Sequence, residues 1–233
     1  MIPKKIHYCW FGGNPKPKLA EKCIASWKKH CPGWEIIEWN ESNFDVSMNG
    51  YTRMCLEQKK YAFLSDYVRL LVVAEQGGVY FDTDVELLRP IEELMEQEAF
   101  FGFETAEYVA SGLGFGSVAR GTVIEAMLRE YDFLLDGTEG IRGCPILNTA
   151  ALEKLGLRRD GSRQTVAGAQ ILPVECLNPY ESSTGRLNKT KNTYSVHWYS
   201  ASWLSPAKRL RSAITRPVHR IFGEDCFEWL KKR

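Results

Sequence analysis

Asp82 and Asp84 close a short apolar run, "GGVYFDTDVELL", with one residue between them. In an extended strand, side chains at i and i+2 leave the same face, so this spacing predicts two carboxylates standing together. Like charges held that close repel, and a divalent cation between them removes the repulsion. Mg²⁺ and Mn²⁺ take oxygen ligands and are commonly held by one or two protein carboxylates together with substrate phosphates. Upstream, Asp66 and Arg69 lie three positions apart in a stretch with helical spacing, which brings a carboxylate and a guanidinium onto one helix face. The same spacing also suits a local ion pair worth a few tenths of a kcal/mol. The other reading sends both groups to a ligand, Arg towards phosphate and Asp towards hydroxyls, because a planar guanidinium recognises phosphate bidentately. A bare D-x-D triplet is common on protein surfaces. Set after a helix carrying Asp66 and Arg69, it points to a metal-bound diphosphate.

The elements that must position these groups alternate in type. "KKIHYCW" (4–10) reads as a strand, Gly12, Gly13, Pro15 and Pro17 as a loop, 19–30 as an amphipathic helix and "WEIIEW" (34–39) as a second strand. Strand, helix and strand at this spacing form a βαβ unit with a parallel pair. Over 60–76, Phe63, Tyr67, Leu70, Leu71 and Ala74 recur at helical intervals, and Gly77 is placed to end that helix as a left-handed cap. The chain then enters "VYFDTDVELL" as a strand. "EAFFGFE", "SGLGFGSV", "AQILPVEC" and "TYSVHWYS" predict further strands, with helices at 122–135 and 145–155. No repeat or linker divides the chain, so the expectation is one α/β domain over 1–204 followed by a basic amphipathic tail over 205–233. In open α/β sheets ligands bind outside the carboxyl ends of the strands. Asp82 and Asp84 lie at one such end, and Trp10 with the Gly12/Gly13 loop lies at another.

The chain has 233 residues, an apolar share of 44% and a net charge of +1, which fits a globular enzyme or binding protein and gives no basic field for nucleic acid. Seven cysteines, an odd number without C-x-x-C spacing, read as reduced thiols of a cytoplasmic protein. The N-terminus has no apolar core of a secretory signal, and no apolar run approaches the roughly 18 residues of a membrane span. Any membrane contact would be peripheral, through the tail, where Lys208, Arg209, Arg211, Arg216 and Arg220 alternate with apolar residues.

Three stretches carry a resemblance: "IHYCWFGG", "SDYVRLLVVAEQGGVYFDTDVELL" and "HWYSASW". They resemble the glycosyltransferase family described as the DXD-containing sugar-binding region, whose relatives include bacterial capsule and lipopolysaccharide sugar transferases and fungal mannosyltransferases. The chain is similar, more distantly, to the glucosylating domain of the large clostridial toxins. The resemblance implies a GT-A fold, a Rossmann-like α/β/α sandwich, and a metal-dependent retaining transfer of a hexose from a nucleotide-sugar, UDP ahead of GDP. The implied acceptor is a saccharide or lipid-linked saccharide of surface polysaccharide synthesis. It implies that Trp10 stacks on the base, that Asp66 and Arg69 contact the donor sugar and phosphate, and that Asp82 contacts ribose and sugar and lies by the metal. Asp84 would coordinate Mn²⁺ or Mg²⁺, His197 would join it, and Trp203 would close over the glycosidic oxygen.

The remaining candidates divide between packing and chemistry. His7 reads as a structural histidine, and Trp27, Trp34 and Trp39 as packing residues. Gly112 and Gly114 lack the spacing of a phosphate loop and read as a strand with close backbone approach beside an acceptor. "GCPILNT" (143–149) reads as a helix start with proline in its first turn, and His219 as a surface residue. Two other functions fit a D-x-D at a strand end: a phosphatase of the haloacid-dehalogenase type, and a sugar-nucleotide-binding protein without turnover. The first expects its aspartates near the chain start and further paired acids late, which are not evident. The complete set of Asp66, Arg69, Asp82 and Asp84 argues against the second.

Overall fold

The structure is a computed structural model and describes residues 1–200. Eleven strands are described: β1 (Lys5–Cys9), β2 (Glu35–Trp39), β3 (Gly78–Tyr80), β4 (Val85–Leu87), β5 (Ala99–Gly102), β6 (Phe115–Ser117), β7 (Gln164–Val166), β8 (Ala169–Leu172), β9 (Tyr180–Glu181), β10 (Arg186–Leu187) and β11 (Ser195–His197). The helices are α1 (Lys18–His30), α2 (Gly50–Glu57), α3 (Tyr61–Gln76), α4 (Thr122–Arg129), α5 (Cys144–Lys154) and α6 (Val174–Leu177). Seven strands form one mixed sheet in the order β2-β1-β3-β6-β5-β8-β7. β2, β1, β3, β5 and β8 share a direction, while β6 and β7 run against it.

Alternation along the strands decides what each face buries. Ile6, Tyr8, Val79, Phe100 and Leu172 belong to one apolar layer, to which α1 contributes Cys23 and Trp27 and α6 contributes Cys176 and Leu177. Cys9, Tyr80, Phe101 and Ile171 face the opposite layer, built by α2 through α5. Side chains at successive positions of a strand leave opposite faces, so two apolar layers close over one sheet and give an α/β/α sandwich. α3 is the helix predicted from its periodic stripe, and Leu64, Tyr67, Leu70 and Val73 are buried along it.

Gly77 ends α3, its N–H donating to Val73 O at 2.8 Å, but with φ 64° and ψ 175° it is an extended left-handed-φ residue rather than the αL cap expected. The chain must turn straight from helix into β3. A Cβ at Gly77 would lie 2.9 Å from the Pro3 ring and 3.0 Å from the Ala119 amide nitrogen, so the tight entry admits glycine alone.

Several expectations are corrected. "VYFDTDVELL" is not one strand: β3 stops at Tyr80, Thr83 and Asp84 form a turn closed by Val85 N–H to Asp82 O at 2.9 Å, and the chain resumes as β4. β4 pairs with β11 in a separate two-stranded ribbon. Asp82 and Asp84 are therefore presented by a turn, not by a continuous pleat. Ser111–Leu113 is a 3-10 turn, and only Phe115–Ser117 of that stretch is a strand. "VEC" begins α6 because Pro173 ends β8 and serves as the helix cap. The helix from 122 ends at Arg129, and a separate 3-10 turn covers Asp132–Leu134. α2, β7 and the β9–β10 hairpin were not anticipated. Among the described residues no helix is long and apolar enough to cross a membrane, and the six described cysteines are free. The basic tail over 205–233 lies outside the described residues.

Candidate active site

The site forms where the carboxyl end of β3 meets α3, the start of β6 and the ribbon of β4 and β11. Arg69 projects from the third turn of α3 and its Nη2 lies 3.0 Å from both Asp66 Oδ1 and Asp82 Oδ1. The sequence offered two outcomes for the Asp66–Arg69 spacing, an ion pair within the helix or a role in the site. The structure joins them, because the same guanidinium nitrogen also reaches the turn after β3. Arg69 is 2% exposed. Its Nε donates to Ser65 O at 3.0 Å, its Nη1 approaches Ser111 Oγ at 3.5 Å and Cys144 Sγ at 3.9 Å, and its Cζ lies 5.0 Å from the Tyr80 ring centroid. Tyr80 Oη donates to Asp82 Oδ1 at 3.0 Å.

Burial pushes the Asp82 carboxyl up, and although the Arg69 charge opposes this, the balance lies at about 6. The quarter of its side chain that meets solvent, 26%, moderates that rise. Burial also raises Asp66, against the Arg69 charge and hydrogen bonds from the thiol and amide of Cys144. The Cys144 amide belongs to the first turn of α5, so Asp66 stands at the positive end of a helix dipole.

Asp84 is placed by register. β11 pairs with β4 so that His197 lies opposite Val85, which brings His197 Nε2 to 3.1 Å from Asp84 Oδ1. Trp198 N–H donates to the Asp84 carbonyl at 2.9 Å and Ser200 N–H to Asp84 Oδ2 at 2.7 Å. Burial would raise the Asp84 carboxyl, but the His197 charge, with the hydrogen bonds from His197 and Ser200, holds it below the usual carboxylate range. Burial would lower His197, and the Asp84 charge and hydrogen bond outweigh it, so the imidazole is raised. One ligand atom from each of Asp82, Asp84 and His197 lies within 4.8 Å of the others. His197 Nδ1 is buried without a hydrogen-bond partner.

Five of the residues singled out from the sequence, Asp66, Arg69, Asp82, Asp84 and His197, are thus assembled in one place. Trp10 stands apart, at the end of β1, the strand beside β3. Its indole donates to Asn14 O at 2.6 Å and the Lys16 ammonium lies 5.7 Å from its ring centroid. Trp203 lies outside the described residues. His7 is structural as expected: it is 0% exposed, with Nε2 2.9 Å from Gly77 O and Nδ1 accepting from Trp39 Nε1 at 3.1 Å. Trp27 and Trp34 are buried. Sequence reasoning missed Tyr80, Ser111, Cys144 and the Ser200 amide, none of which has a local signature. Gly112 was noticed for close backbone approach, and its reason is now visible: a Cβ there would lie 2.8 Å from Asp82 Oδ2 and 3.1 Å from Arg69 Nη1.

Residues 17–101 match the profile of the family described as "Glycosyltransferase sugar-binding region containing DXD motif". Over 129 residues the chain is 27% identical to Subversion of eukaryotic traffic protein A of Legionella pneumophila, a match covering 44% of this chain and 20% of that protein. Over 106 residues it is 26% identical to Inositol phosphoceramide mannosyltransferase 1 of Schizosaccharomyces pombe, covering 42% of this chain and 33% of that one. The matches thus span about a fifth and a third of these relatives. The solved structure of PaToxG Glycosyltransferase superposes with a TM-score of 0.51 at 18% identity, covering 66% of this chain and 69% of that chain. The fold is the GT-A sandwich that the resemblance implied, and the matched segment contains α1 through β5 up to Phe101, including the whole Asp66, Arg69, Asp82 and Asp84 set.

Proposed function

We propose that this chain, whose residues 17–101 form a DXD-type glycosyltransferase sugar-binding region, is a metal-dependent retaining glycosyltransferase. It takes a hexose from a nucleotide-sugar, UDP-linked ahead of GDP-linked, to a saccharide or lipid-linked saccharide acceptor of surface polysaccharide synthesis. The observation that carries the reading is the convergence of Asp82, Asp84 and His197 ligand atoms within 4.8 Å beside the Asp66–Arg69–Asp82 chain of ion pairs.

Two carboxylates and one imidazole suit Mn²⁺, and the carboxylates suit Mg²⁺. Asp84 and His197 would hold the ion, with Asp82 at its edge. When bound, such an ion supplies electrostatic stabilisation to the charge that builds on the diphosphate as the anomeric C–O bond breaks. The chain's own groups do the rest. Arg69 is taken up by protein partners and holds Asp66 and Asp82 in fixed positions, from which their carboxylates can accept hydrogen bonds from donor hydroxyls. Trp10 offers the ring face away from Lys16 for a nucleotide base. Trp203, by resemblance, caps the donor and excludes water from the breaking bond. Without an assignable nucleophile and acid pair, the leaving phosphate takes the acceptor proton on the same face. The basic tail suits an anionic membrane surface, where a lipid-linked acceptor would be met.

A thermal-shift screen of UDP- and GDP-sugars with Mn²⁺ and with EDTA tests the reading. A ligand at about 100 times its Kd stabilises the native state by about 2.7 kcal/mol. Stabilisation by a nucleotide-sugar that needs the metal supports it, and equal shifts with EDTA overturn it. Hydrolysis of a generic phosphomonoester would favour a phosphatase instead.

A further inference from the structure

The GT-A reading leaves one well-held carboxylate without a task. β3 and β5 run in the same direction and are separated only by β6, so their carboxyl ends lie at one sheet edge, two strand spacings or about 9–10 Å apart. Asp82 and Asp84 follow β3, and Glu104 follows β5. The chain between them in space is the start of β6, which runs the other way and meets the edge with its first residues, Tyr80 facing Phe115 in register. Just before it come Ser111 and Gly112. Gly112 packs directly against the site, where a Cβ would lie 2.8 Å from Asp82 Oδ2.

Glu104 is fixed in place. Past β5 the chain forms a narrow hairpin in which Phe103 bridges Val109 and Glu104 N–H donates to Tyr108 O at 2.7 Å. Tyr199 Oη donates to Glu104 Oε1 at 3.1 Å. Asn178 Nδ2 reaches both Glu104 O at 3.0 Å and Tyr199 Oη at 2.8 Å. Tyr199 takes φ 47°, a left-handed conformation that a non-glycine residue adopts where its surroundings hold it, and its ring lies 4.1 Å from that of His197. The network therefore runs from β11, the strand that carries His197, to Glu104. Glu104 is half-buried, and Oε2 has no hydrogen-bond partner among the described residues. Its charge acts on Asp66 and on His197, which stand on different walls of the site.

We infer that Glu104 is the acceptor-side carboxylate, accepting hydrogen bonds from the hydroxyls of a polyhydroxylated acceptor that lies along the sheet edge between the end of β5 and the donor held at Asp82 and Asp84. This deepens the glycosyltransferase reading and rests on it. No bond to Glu104 is made or broken: its free oxygen orients the attacking hydroxyl, and Tyr199 fixes the other oxygen.

The test uses the full chain, UDP-glucose and GDP-mannose with Mn²⁺ as donors, and methyl β-glucoside and methyl α-mannoside as acceptor probes. Glu104→Gln is expected to raise the apparent KM for the glycoside by about ten-fold or more, with a smaller effect on kcat. Tyr199→Phe, which leaves the carboxylate but frees it, is expected to raise it less. Calorimetry should give both variants a UDP–Mn²⁺ Kd within about two-fold of the parent, which also reports an intact fold. An unchanged glycoside KM in Glu104→Gln overturns the inference. So does a loss of UDP–Mn²⁺ affinity in step with transfer, which would place Glu104 on the donor side, and so does a parent that hydrolyses a donor but glycosylates neither probe. A parent that binds no nucleotide with metal sinks the glycosyltransferase reading itself, and this inference with it.

Discussion

Arg69 Nη2 stands 3.0 Å from Asp82 Oδ1, tying the third turn of α3 to the turn that follows β3. The same nitrogen binds Asp66, so one buried cation is shared by two carboxylates. Breaking a buried pair from one side leaves an uncompensated charge, which costs about 3–5 kcal/mol. Arg69→Ala is expected near the lower end of that range at pH 7, since Asp82 is partly exposed. The loss should shrink with acid. Asp66 and Asp82 already have folded-state values raised by burial, so each contributes stability below the ordinary carboxylate range that is lost as pH rises through the folded value, about 6 for Asp82. Without the guanidinium both rise further. Urea unfolding of the variant at pH 7 and pH 5 measures this, and a deficit that is equal at both would count against it.

The Asp84–His197 pair leads to a prediction about metal-dependent binding. Asp84→Asn is expected to remove the gain in UDP affinity that Mn²⁺ gives, a loss of about 100-fold or about 2.7 kcal/mol, while circular dichroism remains that of the parent. The turn that carries Asp84 is closed by backbone bonds at Asp82 and Trp198, so the fold does not depend on this charge. His197→Ala should weaken the same binding less, because Asp82 and Asp84 remain. Retention of full metal-dependent affinity in Asp84→Asn would remove that residue from the site.

How much of this could be read from the sequence depends on how far apart the partners lie along the chain. α3, with Asp66 and Arg69 on one face, was legible because a helix writes its burial at regular intervals. The D-x-D pair was legible as a feature but not in its geometry: aspartates are common in turns, but with neither glycine nor proline in "DTD" the flanking apolar residues read as one continuous strand. Ser200 and Asp84 are 116 positions apart, and only the β4–β11 register brings them together. Glu104 was invisible for the same reason, because a lone acid after a strand has no periodicity. Cys144 became a partner of Asp66 only through the packing of α5.

Gly112 gives a steric prediction. A Cβ would come 2.8 Å from Asp82 Oδ2 and 3.1 Å from Arg69 Nη1, so Gly112→Ala must push apart a pair already fixed from three sides. Overpacking of this kind costs about 1–3 kcal/mol. Sugar transfer should fall by about ten-fold or more, since small displacements of positioning groups are strongly felt in rate. Parallel assays of transfer and of the urea midpoint check this, and a fully active, equally stable variant would show that Asp82 has room to move.

His7 provides a pH dependence away from the site. Its Nε2 donates to Gly77 O at 2.9 Å and its Nδ1 accepts from Trp39 Nε1 at 3.1 Å, an arrangement that only the neutral ring can make because the indole nitrogen is solely a donor. Burial accordingly lowers its pKa. A lowered folded-state value means stability that is present above the unfolded value, about 6.5, and lost as pH falls below it. His197 has the opposite sign, being raised, so the two offset each other in the whole protein and the His7 contribution must be isolated by difference. The stability of the parent relative to His7→Gln is expected to fall as pH drops from 7 to 5.5, with a slope of up to about 1.4 kcal/mol per pH unit. Urea unfolding of both proteins across that window reads the difference directly, and a parent-minus-variant difference that stays flat would mean His7 accepts a proton without losing its bond to Trp39.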